Sequence, residues 1–258
     1  MNREEFDKNM RKFYPFSLAP FEYNGYLTKG ALRIKTVAVG LGLNNKVVSQ
    51  AIKRKADALL VHNAPESLND GGYYARIRRI AIDRGLSIYR LHLPLDFAPG
   101  GLIDVLCDLL GFTGSPARLF YQGLSIIGGV YTIETNLSFI EVLKRIKRIH
   151  PRTMRIAGAR KSFYRRIGIT TGDGCKPEFL LQLRPDAFIC GLLNQESERI
   201  AKDLGITIIE ATSYATENEP LKLIASSMAR VFPFVRISFI DLKDSIANVP
   251  FAKGGELY

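Results

Sequence analysis

Two histidines in this chain stand at expected strand ends, where carboxylates can join them. His62 closes the apolar run 58–61, and His92 opens a segment in which Asp96 follows four residues later. A neutral imidazole and a carboxylate are the ligand types that divalent zinc, manganese or iron prefer in proteins. The spacing therefore predicts a metal site, although histidines that only hydrogen-bond within the fold would leave the same pattern.

The second half of the chain repeats the layout of the first and supplies a second carboxylate. Runs 57–61 and 186–190 each begin with aspartate, and each is followed by a helical stretch, a glycine and a strand. The first copy then leads to Asp96, and the second leads to Ser213-x-x-x-Glu217. Because open α/β sheets place their sites at the carboxyl ends of strands, we expect Asp96 and Glu217 to lie in equivalent loops.

Alternating strand and helix patterns predict an α/β fold. The apolar run 33–41, a helix at 46–56 capped by Asn44, and the buried strand 57–61 form a βαβ unit, which implies a parallel strand pair. Further helices are predicted at 74–84, 102–110, 139–149, 196–204 and 221–231. Further strands are predicted at 86–91, 167–170, 186–190, 206–210 and 234–240.

These elements predict two related α/β halves with mixed, largely parallel sheets packed together around a central cleft. The chain has 258 residues, of which 47% are hydrophobic, so it has ample material for a core. Turn-forming residues crowd the stretch 110–125, which places a boundary there. We divide the chain into a first half (1–115), a basic connecting segment (116–166) and a second half (167–258) packed on the first.

The motifs occur in an order that resembles a known family. Segment 22–26, Glu-Tyr-Asn-Gly-Tyr, is similar to that family's Trp-Asp-Asn-x-Gly-Leu opening. The strand that ends in His62-Asn63-Ala64-Pro65 is similar to its strand ending in His-His-x-Pro, and segment 92–96 is similar to its His-Thr-x-x-Asp. The chain is identified as a divergent member of the NIF-three-like, dinuclear-metal-centre hexameric proteins, the GTP cyclohydrolase I type 2 homologues.

The resemblance implies a homohexamer with a metal centre and, from the family label, GTP ring opening. In the family, six side chains hold two metals: tandem histidines, a His and Asp, and a late His and Glu. Here Asn63 and Ser213 stand at two of these positions, at the edge of the site. Amide and hydroxyl groups are poor substitutes for imidazole as metal ligands. We therefore expect fewer than two tightly bound ions per chain, and the ion is expected to be zinc, manganese or iron. The remaining ligands are His62, His92, Asp96 and Glu217.

Positive charge is concentrated in one part of the chain. The net charge is +11, and segment 144–166 contains ten basic residues and no acid. Phe163 and Tyr164 interleave with the arginines, a pattern that suits phosphate contacts and base stacking. A solvated face on a basic protein is the alternative. The candidate contacts to phosphate or nucleic acid are Arg160, Lys161, Arg165 and Arg166.

The composition limits the expected cellular location of the protein and the kinds of site that it can form. The apolar runs are of strand length and the N-terminus is charged, so we expect a cytoplasmic protein that does not engage a membrane. The three cysteines are widely spaced, which argues against a zinc ribbon or a disulfide framework. The glycine-rich stretch 170–176 lacks the spacing of a P-loop, and a tight turn explains it better than a phosphate cradle.

Two functions are compatible with these features. The first is a metal-dependent hydrolase of a nucleotide or other phosphorylated small molecule, with a metal-bound water as nucleophile and Glu217 as candidate general base. The alternative is a non-catalytic hexamer that binds nucleic acid or protein and carries a degenerate or structural metal site. A measurement of metal content distinguishes these two functions, because a protein that holds no metal cannot be the metal-dependent hydrolase.

Overall fold

Two mixed β-sheets organise the protein. The computed structural model describes residues 1–69 and 72–243, and in them the first sheet has five strands and the second six. The elements in the first part of the chain are α1 (Arg3–Phe13), β1 (Gly25–Thr28), β2 (Thr36–Gly42), α2 (Asn45–Lys53), β3 (Ala58–Asn63), α3 (Tyr73–Asp83), β4 (Ser87–Arg90), α4 (Leu93–Phe97) and α5 (Leu102–Leu110). The others are β5 (Ser115–Tyr121), β6 (Leu124–Ser138), α6 (Phe139–Ile146), β7 (Arg155–Gly158), β8 (Phe163–Ile169), α7 (Pro177–Leu183), β9 (Ala187–Cys190), α8 (Gln195–Leu204), β10 (Thr207–Glu210), α9 (Ser213–Val231) and β11 (Arg236–Ile240).

The first sheet is buried on both faces. Its strand order is β1-β4-β3-β2-β11, and every pair is parallel except β1 with β4. Alternate residues of β3 point to opposite sides: Leu59 packs with helices α2 and α3, whereas Leu60 packs with α1 and α9. Burial on both faces explains why these strands are continuous apolar runs.

The second sheet combines parallel and antiparallel strands. Its order is β5-β6-β8-β9-β10-β7, with β8, β9 and β10 parallel and the remaining pairs antiparallel. Helix α5 lies between the two halves, because Leu102 packs with the first sheet while Ile103 and Leu106 pack with the second. Among the described residues, five of the nine strand pairs are parallel, which confirms the predicted mixed, largely parallel α/β architecture.

The internal repeat is visible in the hydrogen bonds. The Asp57 carboxylate, which precedes β3, accepts bonds of 2.8 and 2.9 Å from the backbone amides of residues 35 and 36. The Asp186 carboxylate, which precedes β9, accepts bonds of 2.8 and 3.1 Å from the amides of residues 165 and 166. Each aspartate therefore ties the start of its own strand to the preceding parallel strand.

Several element boundaries differ from the prediction. Strands β5 and β6 form a hairpin that the sequence patterns did not predict, so segment 116–166 supplies strands to the second sheet and does more than connect two halves. Strand β11 lies beside β2 in the first sheet, so the part 167–258 contributes to both sheets and also reaches beyond the described residues. Helix α6 ends at Ile146, and a 3-10 turn continues to Ile149.

The last long helix starts earlier than predicted. Helix α9 begins at Ser213 and not at residue 221, and Pro220 lies within it. The proline suggests a helix start because it lacks an N–H, but the Thr212 hydroxyl caps the helix eight residues before it by accepting a bond of 3.2 Å from Ala215. Within the described residues, no helix is both long enough and apolar enough to cross a membrane.

Candidate metal centre

Four side chains from the two halves meet at one point. His62 is the last residue but one of β3, His92 and Asp96 follow β4, and Glu217 lies in α9 beyond β10. Ligand atoms of His62, His92 and Asp96 all lie within 4.8 Å of one another. The His62 Nε2 atom is 3.4 Å from Asp96 Oδ2 and 3.9 Å from Glu217 Oε1. The structure thus brings together the four residues that the sequence proposes as ligands.

The two carboxylates stand on helices and not in loops, which corrects the expectation from the repeat. Asp96 belongs to the short helix α4, for which His92 is the N-cap residue. Glu217 belongs to the second turn of α9, which begins at Ser213 after the N-cap residue Thr212. Both carboxylates still lie beyond the carboxyl ends of parallel strands, and the helices that begin there fix the orientation of the two side chains.

The His62 ring has one nitrogen bonded and one free. Its Nδ1 lies 3.1 Å from the Leu91 carbonyl oxygen, so the hydrogen-bond network assigns the proton to Nδ1 and the lone pair to Nε2. Among the described residues, the fully buried Nε2 has no hydrogen-bond partner. Burial, with a contribution from the His92 charge, lowers the pKa of His62 to about 4. A neutral imidazole with a buried, unsatisfied lone pair is suited to binding a cation.

The His92 ring is oriented by a carboxylate that the sequence analysis did not identify. His92 Nδ1 lies 2.7 Å from Glu22 Oε2, which also accepts a bond of 3.0 Å from Arg90 Nη2. Burial would raise the pKa of Glu22, but the bonds from His92 and Asn24 outweigh it and bring the pKa to about 2. An ionised carboxylate bonded to one ring nitrogen leaves the other available, as in many histidine–metal sites.

Two hydrogen bonds orient the oxygens of Asp96 and Glu217. The Thr171 hydroxyl donates to Asp96 Oδ1 at 2.6 Å, and the Asn63 amide donates to Glu217 Oε2 at 2.9 Å. The opposite oxygens of both carboxylates therefore face His62. Burial raises the pKa of each carboxyl group to about 7. A buried histidine and two buried carboxylates form a donor set that fits a divalent cation, which would offset their burial.

The glycine-rich stretch 170–176 forms one wall of the centre. Gly172 has a φ of +48°, and a Cβ atom there would lie 2.2 Å from Glu217 Oε1. Its backbone amide donates a bond of 3.2 Å to the Thr216 hydroxyl. The stretch is a turn, as predicted, but it also supplies Thr171 and the space that Glu217 occupies. Neither role could be identified from the spacing of the glycines.

Two cavities flank the centre, and Glu217 lines both. The aromatic cavity, of about 280 Å³, contains His92 and Asp96. Its other acidic and aromatic lining residues are Glu22, Glu66, Asp173, Phe21, Phe97, Tyr121 and Phe179. The lysine cleft, of about 630 Å³, lies on the side of Asn63 and Ser213. Its charged lining residues besides Glu217 are Lys46, Asp241 and Lys243.

The basic segment contributes mainly to internal contacts. Lys161 Nζ lies 2.6 Å from Asp186, and Arg166 Nη1 donates a bond of 3.2 Å to the Leu183 carbonyl. The Arg160 guanidinium lies over the Phe139 ring at 5.5 Å. Arg165 is exposed. Three of the four side chains proposed for nucleic-acid contact therefore have partners within the chain, and such contact stays a prediction.

Comparison with known proteins points to one family. The profile of Duf34/NIF3 (NGG1p interacting factor 3) matches residues 1–245. The chain is 28% identical over 239 residues to the GTP cyclohydrolase 1 type 2 homolog of Vibrio cholerae, covering 86% of this chain and 90% of that protein. The protein of the same name from Methanocaldococcus jannaschii is 25% identical over 198 residues, covering 73% and 78%.

Solved structures share the fold. Reduced HcgD from Methanocaldococcus jannaschii has a TM-score of 0.79 at 22% identity, covering 94% of this chain and 98% of that chain. Staphylococcus aureus protein SA1388 has a TM-score of 0.80 at 19% identity, covering 96% and 99%. The similarity extends over nearly the whole of each chain, so the two-sheet architecture is common to all three proteins.

Proposed function

Since the chain belongs to the Duf34/NIF3 family, we propose that it is a metal-dependent hydrolase of a nucleotide or another phosphorylated small molecule. One divalent ion of zinc, manganese or iron is held by His62, His92, Asp96 and Glu217. The observation that carries the proposal is the buried His62 Nε2, which has no hydrogen-bond partner among the described residues and faces two carboxylates. The name of the curated relatives supports the nucleotide class.

The distances support a shared ion. Zinc lies about 2.0–2.2 Å from nitrogen and oxygen ligands, so two ligands in a tetrahedral site are roughly 3.4 Å apart and never more than about 4.4 Å. The separations of His62 Nε2 from Asp96 and Glu217 are 3.4 and 3.9 Å. Both fall in the range that one ion can bridge without a large movement of the backbone.

The departures from the family's ligand set support a single ion. The Asn63 amide is already bonded to Glu217, and Ser213 has only a hydroxyl to offer. Beyond them lie the ammonium groups of Lys46 and Lys243 in the lysine cleft. A second divalent cation on this side would lack imidazole ligands and would be repelled by both lysines.

The residues around the centre can take different roles in hydrolysis. When bound, a divalent ion lowers the pKa of a coordinated water and polarises an oxygen or nitrogen of the substrate. Glu217 lines both cavities, so it is placed to accept the proton of an attacking water. Glu22 and Thr171 hold His92 and Asp96 in orientation. The aromatic side chains of the neighbouring cavity offer a face for a planar ring.

Metal content and turnover test the proposal together. We expect the purified protein to contain about one divalent ion per chain and Asp96→Asn to lose it, because the amide is neutral. Glu66→Gln is the matched control, since Glu66 lines the same cavity but is not part of the ligand cluster. The metal-loaded parent should hydrolyse at least one member of a nucleotide panel that includes GTP, and Asp96→Asn should not.

The outcomes separate the parts of the proposal. A parent that takes up no ion after incubation with zinc, manganese or iron would refute metal binding. A loaded parent without turnover of any phosphorylated compound would refute the hydrolase and leave the metal site. The family resemblance also predicts a homohexamer, which a light-scattering measurement of the molar mass would test.

A further inference from the structure

We propose that the lysine cleft is the subsite for the phosphate group of the substrate, with Lys46 as its principal cationic contact. The inference rests on the proposed function, because the substrate is taken to react at the adjacent metal centre. The cleft has a volume of about 630 Å³ and shares Glu217 with the aromatic cavity. One proposed metal ligand is therefore also part of the wall of the cleft.

Two cationic side chains of the cleft are available for a ligand. Lys46 lies at the start of α2, and Lys243 follows β11, so separate parts of the chain bring them to one cleft. Among the described residues, neither ammonium group has a carboxylate partner within 4.0 Å. An unpaired ammonium group in a concave, polar surface attracts phosphate by charge and by its three N–H donors.

The acids of the same cleft already have hydrogen-bond donors. Asp241 Oδ1 accepts bonds of 2.9 Å from the Tyr214 hydroxyl and 3.3 Å from the Asn218 amide. Glu217 accepts the Asn63 amide on one oxygen and directs the other towards His62. Within the part of the chain that the structure describes, neither carboxylate forms an ion pair with Lys46 or Lys243 within 4.0 Å.

The other cavity is unsuited to a phosphate group. Five carboxylates line it, against a single lysine, Lys176, whose Nζ lies 2.9 Å from Asp173. This charge attracts a metal ion and repels an anion. The substrate's ring and the metal are therefore accommodated on one side of Glu217, and its phosphate group is accommodated on the other.

The residues that depart from the family pattern line the lysine cleft as well. Asn63 and Ser213 stand where the family has histidines, and both contribute to the cleft wall. Loss of two imidazoles removes cation ligands from this side of the centre, and the nearby lysines favour an anion. The same substitutions that weaken a second metal site therefore suit a phosphate subsite.

Replacement of Lys46 tests the inference. Inorganic phosphate would be titrated into the metal-loaded, ¹⁵N-labelled protein, and we expect saturable shifts of the amides at 44–47 and 213–217. Lys46→Gln should weaken the binding roughly tenfold, because a charged hydrogen bond is lost. Lys53→Gln is the matched control, since Lys53 is on the same helix but does not line the cleft. Metal content should be the same in all three proteins.

The phosphate subsite can be refuted without refuting the proposed hydrolase function. If Lys46→Gln binds phosphate as tightly as the parent, or if phosphate shifts only amides around His92, the cleft is not the phosphate subsite. The same titration of the metal-free Asp96→Asn variant, with and without Lys46→Gln, tests whether the subsite exists without the metal. Phosphate binding that depends on Lys46, together with a metal-loaded parent that hydrolyses no member of the panel, would retain the subsite and refute the hydrolase.

Discussion

Replacing Thr171 with valine removes one hydrogen bond and almost nothing else. Its hydroxyl donates to Asp96 Oδ1 at 2.6 Å, and the two residues are only 6% and 3% exposed. Valine has nearly the same shape, so no cavity forms. A hydrogen bond to a charged group contributes about 1.5–3 kcal/mol, and about 1.4 kcal/mol corresponds to a tenfold change in affinity.

The metal-free protein makes the same hydrogen bond between Thr171 and Asp96. Only the additional strength that this bond gains when the metal binds therefore contributes to the metal affinity. We therefore expect Thr171→Val to lower metal affinity by roughly tenfold, the lower end of the range for residues that orient metal ligands. Affinity would be measured by competition with a chromogenic chelator, together with the unfolding free energy of the metal-free protein.

Thr170→Val provides the matched control. The Thr170 side chain is also buried, but its hydroxyl donates to the Gly129 carbonyl at 3.0 Å and not to a proposed ligand. We expect this variant to be somewhat less stable but to retain the parent's metal affinity. Equal affinities for the parent and Thr171→Val, or an equal loss in the control, would refute the orienting role of Thr171.

Three further variants test other parts of the structure. Gly172→Ala should reduce metal content and stability, because its Cβ atom would lie 2.2 Å from Glu217 Oε1; elemental analysis and urea unfolding measure both. Asn63→His combined with Ser213→His should raise metal content, and two tight sites in the unaltered protein would contradict this reasoning. Asp186→Asn should lower the unfolding free energy by about 1–3 kcal/mol at pH 7. Burial opposes ionisation of Asp186, but bonds from Lys161 and two backbone amides lower its pKa below the usual 3.8. Its contribution is therefore complete above that value and is lost as the pH falls through the lowered pKa, so the unfolding free energies of parent and variant, measured with urea, should converge as the pH falls below that pKa.

The repeated βαβ units could be predicted because their signals are local. Strands buried on both faces are continuous apolar runs, and the aspartates before β3 and β9 bond to backbone amides in equivalent ways. The β5–β6 hairpin was missed because its sequence resembles a turn region. Exposed residues alternate along β5, and Gly128 and Gly129 interrupt β6, where Gly128 has a φ of +93°.

The proposed ligands could be found because parallel strands end at the same edge of a sheet. Residues that orient them gave no such signal. Glu22 is 70 residues from His92, and Thr171 is 75 residues from Asp96, so their hydrogen bonds depend on the tertiary fold. A single glutamate or threonine is common on any surface. Only the packing of the two halves gives these two side chains their partners.

The substitution at position 63 does more than remove a ligand. The Asn63 amide donates to one oxygen of Glu217, and that bond turns the other oxygen towards His62. An imidazole at this position would instead present a nitrogen to a second ion. The asparagine therefore holds one oxygen of Glu217 and also lines the cleft that contains Lys46. Under the two proposals, the same replacement of imidazole by amide and hydroxyl groups favours a single cation and leaves the lysines of the cleft to bind an anion.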